Sequence, residues 1–328
     1  MLVDRKNSKI KYANNNVKND IAKKYIGYIK NTAPNVHCLT NVVTMLDVAN
    51  MLLAAGGSAI MAQDIKEVEE ITQITSATLL NMGVPSDEKI AAYIKAGKYA
   101  NELGHPVIFD PVGVGASNYR KNCANEILTN VTPAIIRCNQ EEAKVLLGFD
   151  KKFGEDVKVF NGEEILESGF AENKKNTEIK SNGVESSIRL SEDEQEKIAM
   201  ALAYKYDTVA FISGSLDIVS DGKDVLKIDG GDSRMRKVSG TGCMLSALCA
   251  LFAAGVYAAL ETEKNVSNIE DNENSNFNEK YFYAAYSAGK VWKETAKNTG
   301  VLADINGKGI GTYRSMLFDE LEKMMEKC

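Results

Sequence analysis

Two short runs constrain the fold most. Val107-Ile108-Phe109 and Ala134-Ile135-Ile136 are apolar without interruption and are closed off by Asp110 and Arg137. A strand with one face in water alternates apolar and polar residues; a strand buried on both faces does not. Strands of the second kind belong to a largely parallel sheet with helices on either side. The two runs give strands over Pro106–Asp110 and Pro133–Cys138, and comparable runs over Ala77–Asn81 and Thr208–Ser213 predict two more. Between them lie helical patterns over Val42–Ala55, Ile65–Thr75, Asp87–Leu103, Glu141–Leu147 and Ser191–Tyr206. Asp217–Ser220 and Lys223–Ile228, split by Asp221-Gly222, predict a β-hairpin near the sheet edge. The expected architecture is an α/β fold with a largely parallel central sheet flanked by helices on both faces. Residues 25–328 are expected to form a single domain. The Lys- and Asn-rich residues 1–24 read as a flexible extension, and the polar stretches 151–182 and 261–280 as surface insertions.

Charge and cysteine content exclude several function classes. A formal net charge of -6 argues against a broad basic face for nucleic acid or anionic lipid. The 6 cysteines form no CxxC pair and there are only 2 histidines, a poor match for a zinc site or a disulfide framework. Reduced thiols in the cytoplasm fit better. The run Cys243–Leu260 approaches membrane-span length. Its small residues and the globular pattern on both sides favour a buried helix and no membrane association.

Chemistry concentrates at Lys237–Leu245, where Gly240, Thr241 and Gly242 open that helical run. The first amides of a helix lack intrahelical partners, and the helix dipole makes that end partly positive. Glycines let a phosphate approach such amides closely. Cys243 then falls in the first turn, where a positive field lowers a thiol pKa. A phosphate cradle beside an activated side chain is what phosphoryl transfer to a hydroxyl requires. In an open parallel sheet, ligands bind beyond the carboxyl ends of the strands. Three predicted strand ends carry polar groups: Asn81-Met82-Gly83, the segment Asp110–Gly115, and Arg137–Glu142. Asp110 and Glu142 are candidates to organise Mg²⁺, directly or through its waters, and Arg137 could hold a phosphate. A turn, a helix-terminal charge and an ion pair are the plain alternatives for the three.

These motifs together resemble the hydroxyethylthiazole kinases, the thiamine-pathway branch of the ribokinase-like fold. The resemblance rests on His37-Cys38-Leu39-Thr40-Asn41, Ser58–Ala62, Asp110-Pro111-Val112-Gly113, Ile136–Asn139 with Glu142, and Gly240-Thr241-Gly242-Cys243, in that order. Cysteine at the last position separates thiazole kinases from ribokinase-like relatives that carry aspartate there. The resemblance implies transfer of the γ-phosphoryl of ATP to the hydroxyl of 4-methyl-5-(2-hydroxyethyl)thiazole, in a cytoplasmic homotrimer whose sites lie at subunit contacts. It places Asn41, Val43, Met61 and Gly240 at the thiazole, and Asp110, Arg137 and Ser213 at ATP. Mg²⁺ falls near Asp110 and Glu142. Catalysis falls to Cys243 with Gly240, Thr241 and Gly242. Gln63 and Asp232 stand where the family commonly has histidine, and Cys138 where it has glycine. Two rival readings remain: another small-alcohol kinase or hydrate dehydratase of the same fold, and a catalytically silent thiazole- or nucleotide-binding regulator.

Overall fold

A computed structural model describes residues 15–149, 190–267 and 277–327. Its helices are α1 (Asn15–Thr32), α2 (Met45–Ala54), α3 (Val68–Ile74), α4 (Asp87–Glu102), α5 (Asn118–Asn130), α6 (Gln140–Leu147), α7 (Glu192–Tyr206), α8 (Thr241–Ser267), α9 (Phe277–Ile305) and α10 (Ile310–Lys327). Eight strands form one sheet: β1 (Asn35–Leu39), β2 (Ser58–Ile60), β3 (Ala77–Asn81), β4 (Val107–Asp110), β5 (Ile135–Asn139), β6 (Val209–Ser213), β7 (Asp217–Ser220) and β8 (Val225–Ile228). Their spatial order is β2-β1-β3-β4-β5-β6-β7-β8. The first six strands run parallel, and β7 and β8 add the expected antiparallel hairpin at one edge.

Alternation along each buried strand feeds two cores. Leu79, Ile108, Ile135 and Phe211 face the core built with α1, α8, α9 and α10. Their neighbours Leu80, Phe109, Ile136 and Ala210 face the core built with α4, α5, α6 and α7. Side chains two residues apart share a face, so an uninterrupted apolar run supplies both sides.

Helix α8 carries the apolar run Thr241–Thr262, with a mean hydropathy of 2.1, long and apolar enough to cross a membrane. Most of it is buried within the fold, against β3 and β4 and against α1 and α9. Gly255 permits a close approach to α1: a Cβ there would sit 3.0 Å from Ile29 Cγ1.

Three expectations need adjustment. Helix α1 begins at Asn15 and buries Ala22, so residues 15–24 belong to a helix and not to a flexible extension. The helix expected from Val42 begins only at Met45, because Asn41 makes a turn. Its Oδ1 accepts the Val43 N–H at 3.1 Å and its carbonyl accepts the Thr44 N–H at 3.2 Å. The polar stretch 261–280 is helical at both ends, where α8 runs to Ser267 and α9 starts at Phe277. The insertion expected over 151–182 lies outside the described residues.

Candidate active site

Strand ends and one helix start meet at the carboxyl edge of the sheet. Asp110 ends β4 and is fully buried. Its Oδ2 accepts from Ser246 Oγ at 2.6 Å and from Asn81 Nδ2 at 2.8 Å. Its Oδ1 has no hydrogen-bond partner. Arg137 Nη1 stands 3.8 Å from it, close enough for attraction but too far for a hydrogen bond. Burial pushes the Asp110 carboxyl above its usual range, with Arg137, Ser246 and Asn81 pulling the other way.

Arg137 projects from β5 and is almost fully buried; its Nη2 donates to Ser213 Oγ at the end of β6. Burial opposes its charge, but Asp110 and Glu142 more than offset that and hold the guanidinium more firmly protonated. Its other face meets the start of α8, since a Cβ on Gly242 would fall 2.6 Å from Arg137 Nη1. A cation is thus packed against the positive end of a helix, an arrangement that is unfavourable by itself and favourable beside an anion.

At that helix start, Gly240 adopts φ +85° and its carbonyl accepts the Met244 N–H at 2.9 Å. The amides of Thr241, Gly242 and Cys243 precede this first helical bond and so are free of the helix ladder. Thr241 Oγ1 donates to the Met235 carbonyl at 3.2 Å, holding the turn that leads in. A Cβ on Gly240 would meet Thr44 Cγ2 at 2.5 Å, so glycine is required here by space as well as by backbone angle.

Cys243 lies in the first turn as expected, but its ionisation runs opposite to expectation. Burial and the neighbouring Asp110 raise the thiol pKa, and Thr44, Asn81 and Arg137 recover only part of the shift. Sequence showed the helix N-terminus but not the carboxylate beneath it. Asn41 Nδ2 reaches Cys243 Sγ at 3.6 Å and Asn81 Oδ1 at 2.9 Å.

Glu142 serves the backbone. Its Oε1 accepts the Gly113 N–H at 2.8 Å and its Oε2 the Asn139 N–H at 2.9 Å, in a capping box at the start of α6. It therefore clamps the loop after Asp110 to the end of β5. Among the described residues no group of three or more His, Cys, Asp or Glu side chains forms a metal cage.

Asn41, Asp110, Arg137, Ser213, Glu142 and Gly240 to Cys243 are thus brought together. Val43 joins this set only through its backbone N–H on Asn41 Oδ1, and Met61 lies off it. Val43 is exposed and lines a cleft of about 340 Å³ with Lys237, Ser239 and Arg314. Met61 follows β2 at the sheet edge, half-buried against the α8 core. Its segment is pinned by His37, which bonds the Ala62 carbonyl at 2.7 Å, and by Gln63, which donates to the Thr40 carbonyl at 2.8 Å.

Three further residues were not assigned roles from sequence. Ser246 was hidden inside the apolar helix. Asn81 was visible as a strand-end amide without an evident partner. Lys293, on α9, is buried with Asp217 at 3.1 Å and donates to the Gly214 carbonyl at 2.9 Å, which fixes the loop after Ser213.

The comparisons with known proteins bear on this assembly. A family model described as "Hydroxyethylthiazole kinase family" matches residues 26–165 and 161–327. The chain belongs to the hydroxyethylthiazole kinase family. It is 36% identical over 301 residues to the hydroxyethylthiazole kinase of Clostridium botulinum (strain Eklund 17B / Type B), covering 89% of this chain and 88% of that one. The solved structure of hydroxyethylthiazole kinase protein from Pyrococcus horikoshii OT3 superposes with a TM-score of 0.68 at 26% identity, covering 93% of each chain. A ribokinase-like superfamily protein from Enterococcus faecalis V583 matches at TM-score 0.55 and 10% identity, with 94% of each chain covered, which speaks to the fold alone. The hydroxyethylthiazole kinase family membership and the ribokinase-like fold thus agree with the reading of the motifs.

Proposed function

We propose that this chain transfers the γ-phosphoryl group of ATP to the primary hydroxyl of 4-methyl-5-(2-hydroxyethyl)thiazole, in thiamine biosynthesis or salvage. The observation that carries the reading is Arg137 packed on the first turn of α8, beside Cys243 and the unpartnered Asp110 Oδ1. Two positive groups converge on one point, as a transferring phosphoryl group demands.

In this reading Arg137 and Ser213 hold ATP phosphates, and Asp110 borders them. Mg²⁺ keeps several waters and binds through one or two carboxylates plus phosphates, so it needs no preformed cage. The orphaned Asp110 Oδ1 fits such a role directly and Glu142 fits it through water. When bound, the ion would neutralise charge on the phosphates. Asn41, Val43 and Met61 hold the thiazole, and the Gly240 to Gly242 amides stabilise charge on the moving group. The hydroxyl oxygen forms the new bond to phosphorus as the bond to the ADP leaving oxygen breaks, and the hydroxyl proton passes late to an oxygen of the transferred phosphoryl group. The neutral Cys243 thiol steers the hydroxyl into line. In a loose transition state positioning supplies most of the rate, so no side-chain base has to take the proton early.

We also read the working form as a cytoplasmic homotrimer with pockets completed across subunits. Val42, Val43, Leu46 and Leu53 are all more than 60% exposed on or beside α2, an apolar face that another copy would cover. The free, buried cysteines among the described residues suit a reducing compartment.

The test is ATP-dependent phosphorylation of a panel of hydroxyethyl heterocycles, read by mass spectrometry. The thiazole alcohol should be turned over well ahead of the others. Transfer to none of the panel would reject the assignment.

A further inference from the structure

Asn81 closes β3, and phosphoryl transfer as set out above gives it no part. It is fully buried, yet its side-chain amide has polar partners on two sides. Toward the thiazole side, Oδ1 accepts from Asn41 Nδ2 at 2.9 Å and from the Gly83 N–H at 3.0 Å. Toward the nucleotide side, Nδ2 donates to Asp110 Oδ2 at 2.8 Å. The Gly83 bond fixes which end of the amide is oxygen, since a flip would set three donors facing one another. Asn41 is fixed in the same way by the Val43 N–H on its Oδ1, which leaves its Nδ2 to serve both Asn81 and the Cys243 sulfur. A line of bonds with every polarity set therefore runs from Cys243 through Asn41 and Asn81 to Asp110.

We propose that Asn81 is a positioning residue that couples the thiazole pocket to the nucleotide site, so that each ligand tightens binding of the other through its amide. The inference rests on the proposed placement of the thiazole alcohol at Asn41 and Cys243 and of the nucleotide beside Asp110. Its physical basis is the lack of slack. Breaking the Asn81–Asp110 bond strands the buried Asn81 Nδ2, and Asn41 cannot shift without straining the bonds its Nδ2 shares with Asn81 and Cys243, so a displacement at one end is passed to the other. Space is equally tight: a Cβ on Gly83 would lie 2.5 Å from Asn41 Nδ2, so the Asn41 amide rests directly on the backbone beyond Asn81. A ligand that orders Asn41 thereby orders Asn81 and the Asp110 carboxylate, and the reverse must hold by linkage.

Calorimetric titration tests this with ADP and 4-methyl-5-(2-hydroxyethyl)thiazole, a pair that cannot turn over. Each is titrated alone and with the other saturating. In the wild-type chain each should tighten the other by about 5-fold or more, within the ordinary range of intramolecular coupling. In Asn81→Ala that factor should fall below about 2-fold, the mark of independent sites. Asn81→Ser, too short to reach both Asn41 and Asp110, should do the same and serves if the alanine variant does not fold. Ser246→Ala removes the other donor to Asp110 but lies off the line, so it should keep the wild-type factor. Uncoupled binding in the wild type, or full coupling in a folded Asn81 variant, overturns the proposal. Failure of the wild-type chain to bind the thiazole at all would instead overturn the substrate assignment beneath it.

Discussion

Residues set the protonation states on which the chemistry turns. Because Cys243 holds its proton in the resting site and steers the hydroxyl, Cys243→Ala should lower kcat by roughly 100-fold, the scale of a misplaced reacting group. Cys243→Asp should retain substantial activity, because a carboxylate can orient the same hydroxyl. Steady-state rates at saturating ATP decide, and an alanine variant with wild-type kcat would make the thiol structural. Arg137→Ala should raise KM for ATP by about 10-fold or more, as charge-assisted contacts of this kind are worth about 1.5–3 kcal/mol. KM for the thiazole should move far less. His37 gives a pH signature unconnected with turnover. Burial lowers its pKa to about 4, partly countered by its bond to the Ala62 carbonyl. Between about pH 4 and 6.5 the unfolded chain takes up a proton that the folded chain refuses, so His37 makes stability rise with pH through that window and level off above it. The span amounts to about 3 kcal/mol. Urea denaturation across pH 4.5–7.5 should show this slope reduced in His37→Gln. Of this chemistry, glycines and charged strand ends were legible, because they interrupt apolar runs. Which way the Cys243 pKa moves was not, since it depends on Asp110, far away in sequence.

At the scale of elements, legibility followed the strength of the apolar signal. Strands β3 to β6 were plain because burial on both faces makes them mostly apolar runs, with polar residues gathered toward their carboxyl ends. β1 reads Asn-Val-His-Cys-Leu, and its polar residues mask an equally buried strand. α5 shows little periodicity because it buries only Cys123, Ala124 and Ile127. The turn ahead of α2 was missed because Val42 and Val43 look helical until Asn41 is seen to bond the backbone after it. Close packing of helix on sheet was equally invisible, and Gly289 in α9 illustrates it. A Cβ there would lie 2.6 Å from Ile228 Cδ1 and 2.7 Å from Phe211 Cζ. Gly289→Val should therefore destabilise the fold by about 1–3 kcal/mol through overpacking. A shifted midpoint in chemical denaturation with an unchanged slope would report it, and an unshifted midpoint would show that α9 can move away from the sheet.

For the whole molecule, the exposed apolar face at α2 is the feature that asks for a second copy. Leu46 is 69% exposed at its centre. Leu46→Glu should convert a trimer into monomers in sedimentation velocity, and activity should fall with it if pockets are shared. A wild-type chain that sediments as a monomer with full activity would reject the assembly. Another long-range tie concerns α10, where Arg314 pairs with the buried Asp47 of α2. The loop holding Asn41, Val43 and Thr44 leads straight into that helix. During synthesis the first site residues leave the ribosome early, yet the clamp on α2 arrives only when residue 314 has emerged. Truncated translation products that stop before it carry every assigned site residue and still lack that anchor. A chain that stops before Arg314 thus leaves the buried Asp47 of α2 without this partner, directly behind the loop that holds Asn41.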